Sequence, residues 1–83
     1  MSGKSLISAQ IRAARALVRW SAEDLARESA VSVATIRRAE LTDKQTLMNA
    51  ANDLAIRRAL ETAGVEFIDG NGGGAGVRLK KTP

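Results

Sequence analysis

The distribution of glycine and proline constrains this 83-residue chain more than any other feature of its sequence. Residues 7–63 contain neither residue type and are rich in Ala, Leu and Arg, a composition that favours helices. From Gly64 onward the chain carries six of its seven glycines, and its one proline is the last residue. The helical part is therefore predicted to end at Gly64, in the left-handed conformation typical of a helix C-cap.

Cap residues divide residues 7–63 into five predicted helices. The first has one apolar stripe at helical spacing, formed by Ile7, Ile11, Ala14 and Val18. Each of the other four begins at an N-cap residue, namely Ser21, Ser32, Thr42 and Asn52. Asp24 and Gln45 lie three residues after two of these caps, the spacing of a capping box. The fourth predicted helix carries Leu47, Met48 and Ala51, and the fifth carries Ile56, Ala59, Leu60 and Ala63.

After Gly64 the apolar residues alternate, which is typical of strands. Residues 65–67 and 77–80 alternate in this way and flank a glycine-rich stretch at 70–76. This stretch lacks the residue order and the following helix of a phosphate-binding loop, so we interpret it as a hairpin turn. We therefore expect a mainly α fold, with a flexible tail at residues 1–5, a five-helix bundle at 6–63 and a short β-hairpin at 64–83.

Composition excludes several classes of function. The chain has neither Cys nor His, which rules out disulfides, thiolate or imidazole metal ligands, and catalysis by those side chains. Its carboxylates lack a cleft, a metal-ligand set or a base partner, so we expect no enzyme activity, no metal and no cofactor. No apolar run approaches the roughly 18 residues that span a bilayer, and a cytoplasmic protein is expected.

The charge of the chain favours a polyanionic partner. Thirteen Lys and Arg residues against nine Asp and Glu residues give a net charge of +4 and a pI near 10.4, typical of nucleic-acid-binding domains. Trp20 and Phe67 are the only aromatic residues, so the chain lacks the stacking platforms that bind single strands. These features favour a double-stranded partner over a single-stranded one.

Residues 21–40 have the spacing of a helix-turn-helix. Two short predicted helices flank a turn at residues 30–32. The positions predicted to face inward are Leu25, Ala26, Val31, Ile36 and Ala39. Ala26 fits this interpretation because two helices that cross over a tight turn leave no room there for a large side chain.

The outward face of the second of these helices combines small residues with two arginines. With Ile36 placed inward, Ala34 and Arg38 point directly away from the core, and Thr35 and Arg37 flank them. An Arg side chain can donate two hydrogen bonds to guanine, and an Ala or Thr methyl group can contact thymine. Exposed arginines are also common on ordinary helix surfaces, and this alternative stays open on the face alone.

The stretch WSAEDLARESAVSVATIRRAE at residues 20–40 resembles the helix-turn-helix of the Cro and phage-repressor (XRE) family of bacterial regulators. The resemblance implies a lambda-repressor-like bundle whose recognition helix spans residues 33–40. Together with the outward face, it implies base-reading roles for Val33, Ala34, Thr35, Arg37 and Arg38. Phosphate contacts are expected at the helix starts, at Ser21, Ala22 and Ser32, because free backbone N–H groups there attract anions. Lys44, which follows the recognition helix, is expected to make a further phosphate contact.

Two positions depart from the pattern of the family. Ala30 occupies a turn position where the family often has Gly, and a left-handed Ala would cost about 1 kcal/mol. The outward face of the recognition helix also lacks the Gln or Asn that is frequent there, which leaves the operator sequence open.

Arg15 and Glu40 are expected to form an ion pair. Each lies beside the inward residue of its own helix, and an unpaired charge on an apolar face would be strongly penalised. Similar repressors place an Arg–Glu pair at the matching positions, where it ties the first helix to the recognition helix. The alternative is two exposed side chains that extend into water.

The protein is predicted to form a homodimer through its C-terminal ribbon. The apolar residues of this ribbon exceed what a small bundle needs, and they are Val65, Phe67, Val77 and Leu79. A solvated face and a phosphate-contacting wing are the alternatives. A dimer would place two recognition helices about 34 Å apart on an inverted repeat.

The function expected from the sequence is that of a transcriptional regulator that binds double-stranded DNA with sequence specificity. Repression is the expected role, and activation is an alternative that the residues leave open. No small-molecule ligand is expected. The alternative is a protein-interaction module, an antitoxin or antiactivator, that uses the same fold to bind a protein.

Overall fold

The computed structural model describes residues 6–42, 45–46, 48–70 and 72–80. In these ranges four helices precede a two-stranded antiparallel sheet. Their bounds are α1, Ser8–Val18; α2, Ala22–Ser29; α3, Val33–Ala39; α4, Ala50–Thr62; β1, Val65–Ile68; and β2, Gly76–Leu79. The mainly α class and the C-terminal hairpin are thus confirmed. Within the described ranges, no helix combines the length and the apolar character needed to cross a membrane, and the tail at residues 1–5 lies outside them.

Single polar side chains fix the starts of α2 and α3. Ser21 Oγ accepts from the Asp24 N–H at 3.0 Å, and the Ser21 N–H donates to Asp24 Oδ2 at 2.9 Å. This is the capping box predicted from the sequence. Ser32 Oγ likewise accepts from the Thr35 N–H at 3.1 Å. Because these bonds satisfy backbone donors that a helix start leaves unpaired, both helix starts follow from the local sequence.

The prediction of five helices is wrong, because the described residues between α3 and α4 form no separate helix. Gln45 forms an antiparallel bridge with Ile7, and the Thr46 N–H donates to the Leu6 carbonyl at 3.0 Å. The side chain of Thr46 is buried. The pairing of Gln45 and Thr46 with residues 6 and 7 therefore overrides the local capping-box signal at Thr42.

The last helix begins earlier than predicted. Asn49 is the N-cap of α4, and its Oδ1 accepts from the Asn52 N–H at 2.8 Å. Asn52 therefore lies in the first turn of α4 and does not cap it. Of the residues assigned to the fourth predicted helix, Met48 packs against the core before α4 and Ala51 is exposed on α4. Leu47 lies outside the described residues.

The hydrophobic core draws on all four helices and on β1. Its buried members are Leu6, Ile11, Ala14, Ala22, Leu25, Val31, Ile36, Ala39, Ile56, Leu60 and Val65. Four of the five positions predicted to face inward in the helix-turn-helix belong to this core, and the fifth, Ala26, packs partly buried against it. Because α2 contacts both α3 and α4, the core holds the helix-turn-helix against the rest of the chain.

The hairpin is attached to the helices of its own chain. Its strands pair in antiparallel register, with Val65 opposite Leu79. Gln10 of α1 donates through Nε2 to the carbonyl oxygens of Ile68 at 3.3 Å and of Gly76 at 3.2 Å. Apolar packing and these two hydrogen bonds therefore stabilise a ribbon that would be marginal by itself.

The set of dimer residues predicted from the sequence needs correction. Val65 is fully buried in the core of its own chain, so it offers no surface to a second subunit. Phe67 and Val77 pack partly buried against the same core. Leu79 remains 51% exposed. Most of the excess apolar surface inferred from the sequence thus packs against α1 and α4 of the same chain.

Ala30, the residue that follows α2, has the left-handed conformation that L-residues disfavour. Its φ and ψ are 62° and 21°, and its N–H donates to the Ala26 carbonyl at 2.9 Å. Its side chain is exposed, so no packing compensates for the conformation. The cost of this turn is therefore present in the folded protein and would be absent with glycine.

Replacing Ala30 with Gly is expected to raise the free energy of unfolding by about 1 kcal/mol, because glycine adopts a positive φ without steric cost. Ala13 provides a matched control, since it is exposed in the middle of α1. There the same substitution should lower stability by about 1 kcal/mol. Urea denaturation followed by circular dichroism checks both variants, and a decrease in stability for Ala30→Gly would contradict the prediction.

Candidate nucleic-acid interface

The second helix of the helix-turn-helix, α3, is anchored through one side only. Ile36 is fully buried and Ala39 is 4% exposed, and both face the core. The turn before α3 adds Val31, which is also buried. The opposite side of α3 therefore forms part of the protein surface.

The outward side of α3 carries three exposed residues, Ala34, Arg37 and Arg38. Val33 and Thr35 are half-buried at its edges. These are the five residues predicted to read bases, so all of them lie on or beside one accessible face. The face is shallow at Ala34, which allows close approach of a partner, and it bears two guanidinium groups.

The two arginines of this face differ in their partners. Arg37 Nη2 donates to Glu23 Oε2 of α2, and both side chains are largely exposed. Arg38 forms no ion pair with any acidic side chain in the described part of the chain. It lines a groove of 280 Å³ between α3 and the start of α4. Arg38 is thus the arginine of α3 that no carboxylate of the described residues engages.

The start of α2 carries acidic side chains, which disfavour the phosphate contact predicted there. Ser21 is occupied with the capping box, and Ala22 is only 8% exposed. Glu23 and Asp24 place two carboxylates in the first turn. Hydrogen bonds from the Ser21 N–H and from Arg27 lower the pKa of the Asp24 carboxyl, so this group stays charged at neutral pH.

The other predicted phosphate contacts lie near α3. Ser32 is exposed at the start of α3, whose first turn contains no acidic residue. A phosphate beside Ser32 would therefore meet less repulsion than one at the start of α2. Lys44 lies outside the described residues.

The ion pair expected between α1 and α3 is present in the structure. Arg15 donates through Nε to Glu40 Oε2 at 2.7 Å and through Nη2 to Oε1 at 2.8 Å. The side chains are 22% and 10% exposed, respectively. Arg15 Nη1 also donates to the Trp20 carbonyl at 2.8 Å. The hydrogen bonds that Arg15 donates to Glu40 raise the pKa of Arg15, and the pair fixes the end of α3 to α1.

Three contacts that support α3 were not anticipated from the sequence. Arg12 of α1 donates to the Glu40 carbonyl, and the buried Ser8 hydroxyl donates to the Ala39 carbonyl. The third is the pairing of Glu23 with Arg37. The first two satisfy carbonyl groups that the end of α3 leaves unpaired. No local sequence signal marks any of the three, because each joins residues that are distant in the chain.

The described residues contain no group of three or more acidic side chains placed to hold a metal ion. No protein-family model matches the chain, and a search of curated proteins found no similar protein. The XRE resemblance therefore stays a prediction from the sequence, and the α2–α3 face is the feature of the structure that bears on function.

Proposed function

We propose that the protein binds double-stranded DNA with sequence preference by placing α3 in the major groove. The observation that carries this proposal is the orientation of α3. Its apolar side is fixed in the core while Ala34 and Arg38 face outward. A helix that is held on one side and shallow on the other suits a groove about 12 Å wide.

The chemistry of the outward face supports base reading. The guanidinium of Arg38 has no acidic partner among the described residues, so its donors are available for the O6 and N7 atoms of a guanine. Ala34 and the methyl group of Thr35 can contact thymine methyl groups. The net charge of +4 adds attraction to the phosphates of any duplex.

A homodimer on an inverted repeat is part of this proposal. A single small module buries only about 600–1,000 Å² on DNA, which is little for tight specific binding. Two copies would present two α3 helices to half-sites about one helical turn apart. Leu79 at the end of β2 is 51% exposed, and it is an apolar residue of the hairpin that a second copy could cover. Occupation of promoter DNA by such a dimer would make the protein a repressor, the role that the XRE resemblance also implies.

Selection from random duplexes tests the proposed function. Immobilised protein should enrich one sequence, and a two-fold symmetric site in that sequence would support the dimer. Fluorescence anisotropy should then give a log affinity that falls linearly with log salt concentration. If no sequence is enriched and no duplex binds in low salt, the proposal fails, and the protein-interaction alternative would account for the fold.

A further inference from the structure

The pairing of Glu23 with Arg37 joins two helices across the face proposed to meet DNA. Glu23 lies in the first turn of α2, and Arg37 lies fourteen residues later on α3. Their side chains are 59% and 60% exposed. Ion pairs at this exposure contribute little to stability, so the fold has no strong need of this one.

Glu23 differs from its acidic neighbours in what it contacts. Asp24 is engaged within α2, by Ser21 and Arg27. Glu28 lies 3.9 Å from Arg27 and lines a groove on the α4 side of α2. Among the described residues, Glu23 is the carboxylate that reaches an outward arginine of α3.

An arginine that contacts the DNA backbone adds the same attraction whatever the base sequence. Its long side chain can find a phosphate in every duplex, which strengthens non-specific binding. A carboxylate that occupies one edge of the guanidinium opposes this contact and limits the rotamers of the side chain. The remaining N–H donors of the planar group can still meet a base edge, at a lower entropic cost.

We propose that Glu23 is a specificity-determining residue that holds Arg37 away from the phosphates. This inference rests on the proposed DNA-binding function. The expected result is weak binding to unrelated DNA and a larger affinity ratio for the preferred site.

The Glu23→Gln variant tests this role because it removes the charge and keeps the size of the side chain. Affinities are measured by anisotropy for the duplex enriched in the selection and for a scrambled duplex of the same composition. The ratio of the two affinities should fall about tenfold, mainly through tighter binding to the scrambled duplex. On that duplex the plot of log affinity against log salt should steepen by about 1.

Two further variants separate this role from a change in net charge. Glu28→Gln removes the same charge from the same helix, where the side chain is 51% exposed, and it should leave the affinity ratio unchanged. In an Arg37→Ala background, Glu23→Gln should then behave like Glu28→Gln. Thermal melting by circular dichroism verifies that each variant is folded, as the exposure of these side chains leads us to expect.

Distinct outcomes would overturn the inference and the function. If Glu23→Gln and Glu28→Gln change both affinities equally, Glu23 acts only through net charge and the inference is wrong. If the effect of Glu23→Gln persists without Arg37, the pairing is not its cause, and the inference is again wrong. If the selection enriches no sequence, the proposed function fails and the inference fails with it.

Discussion

Replacing Glu40 with Ala is expected to lower the free energy of unfolding by about 3 kcal/mol. The substitution leaves the Arg15 guanidinium without its two carboxylate hydrogen bonds while the side chain stays only 22% exposed. Removing one partner of a buried pair costs about 3–5 kcal/mol, and the residual contact of Arg15 with water places this case at the lower end. A domain of this size has only about 3–5 kcal/mol in total, so much of the variant should be unfolded at 37 °C.

The pair between Glu66 and Arg78 provides a matched control for this prediction. It has the same two-bond geometry, with both distances at 3.1 Å, but the side chains are 43% and 64% exposed. Glu66→Ala should therefore cost at most about 1 kcal/mol. Urea denaturation at neutral pH compares the two variants. Equal losses of stability would show that burial does not set the value of the Arg15–Glu40 pair.

Replacing Arg38 with Ala is expected to weaken binding to the selected duplex by about tenfold to a hundredfold. Arg38 is exposed on α3 and has no acidic partner among the described residues, so its donors are free for a base. The loss on a scrambled duplex should be much smaller. A second selection with the variant should show relaxed preference at one position of each half-site. Anisotropy titrations at one fixed salt concentration give these affinities.

Arg58 is the control for the charge that this substitution removes. It is exposed on α4 and lines a groove with Trp20 and Glu28, to which α3 contributes no residue. Arg58→Ala should change both affinities by about twofold or less, because distant surface charges are screened.

Lys44→Ala, by contrast, should weaken binding to all sequences alike if Lys44 contacts a phosphate. An equal loss on selected and scrambled duplexes for Arg38→Ala would assign Arg38 to a phosphate.

The order and character of most elements could be predicted from local signals. Ser21 and Ser32 start α2 and α3 because a side-chain oxygen next to unpaired N–H groups acts within one turn of the chain. Gly64 follows the end of α4 with a φ of 109°, a conformation that other residues rarely adopt. The outward face of α3 followed from helical periodicity once Ile36 was placed inward. The Arg15–Glu40 pair could be inferred because a charge on an apolar face is strongly penalised unless an opposite charge pairs with it.

Other features depended on contacts between distant parts of the chain. Thr42 and Gln45 have the spacing of a capping box, yet Gln45 pairs with Ile7, and those residues of this segment that the structure describes form no separate helix. Val65 alternates like a residue of an exposed ribbon, but it is fully buried in its own chain. The partner of Arg37 was equally hidden, because Glu23 meets it only where α2 crosses α3.

By itself, then, the sequence determined where the glycine-free helical part ends, where α2 and α3 begin, and which side of α3 faces outward. These features depend on caps, glycine and periodicity, which act over a few residues. Only the tertiary structure decided that Gln45 pairs with Ile7, that the hairpin covers its own helices, and that a described carboxylate engages Arg37 but not Arg38. Each of these depends on which distant residues meet, and local spacing carries no information about that meeting.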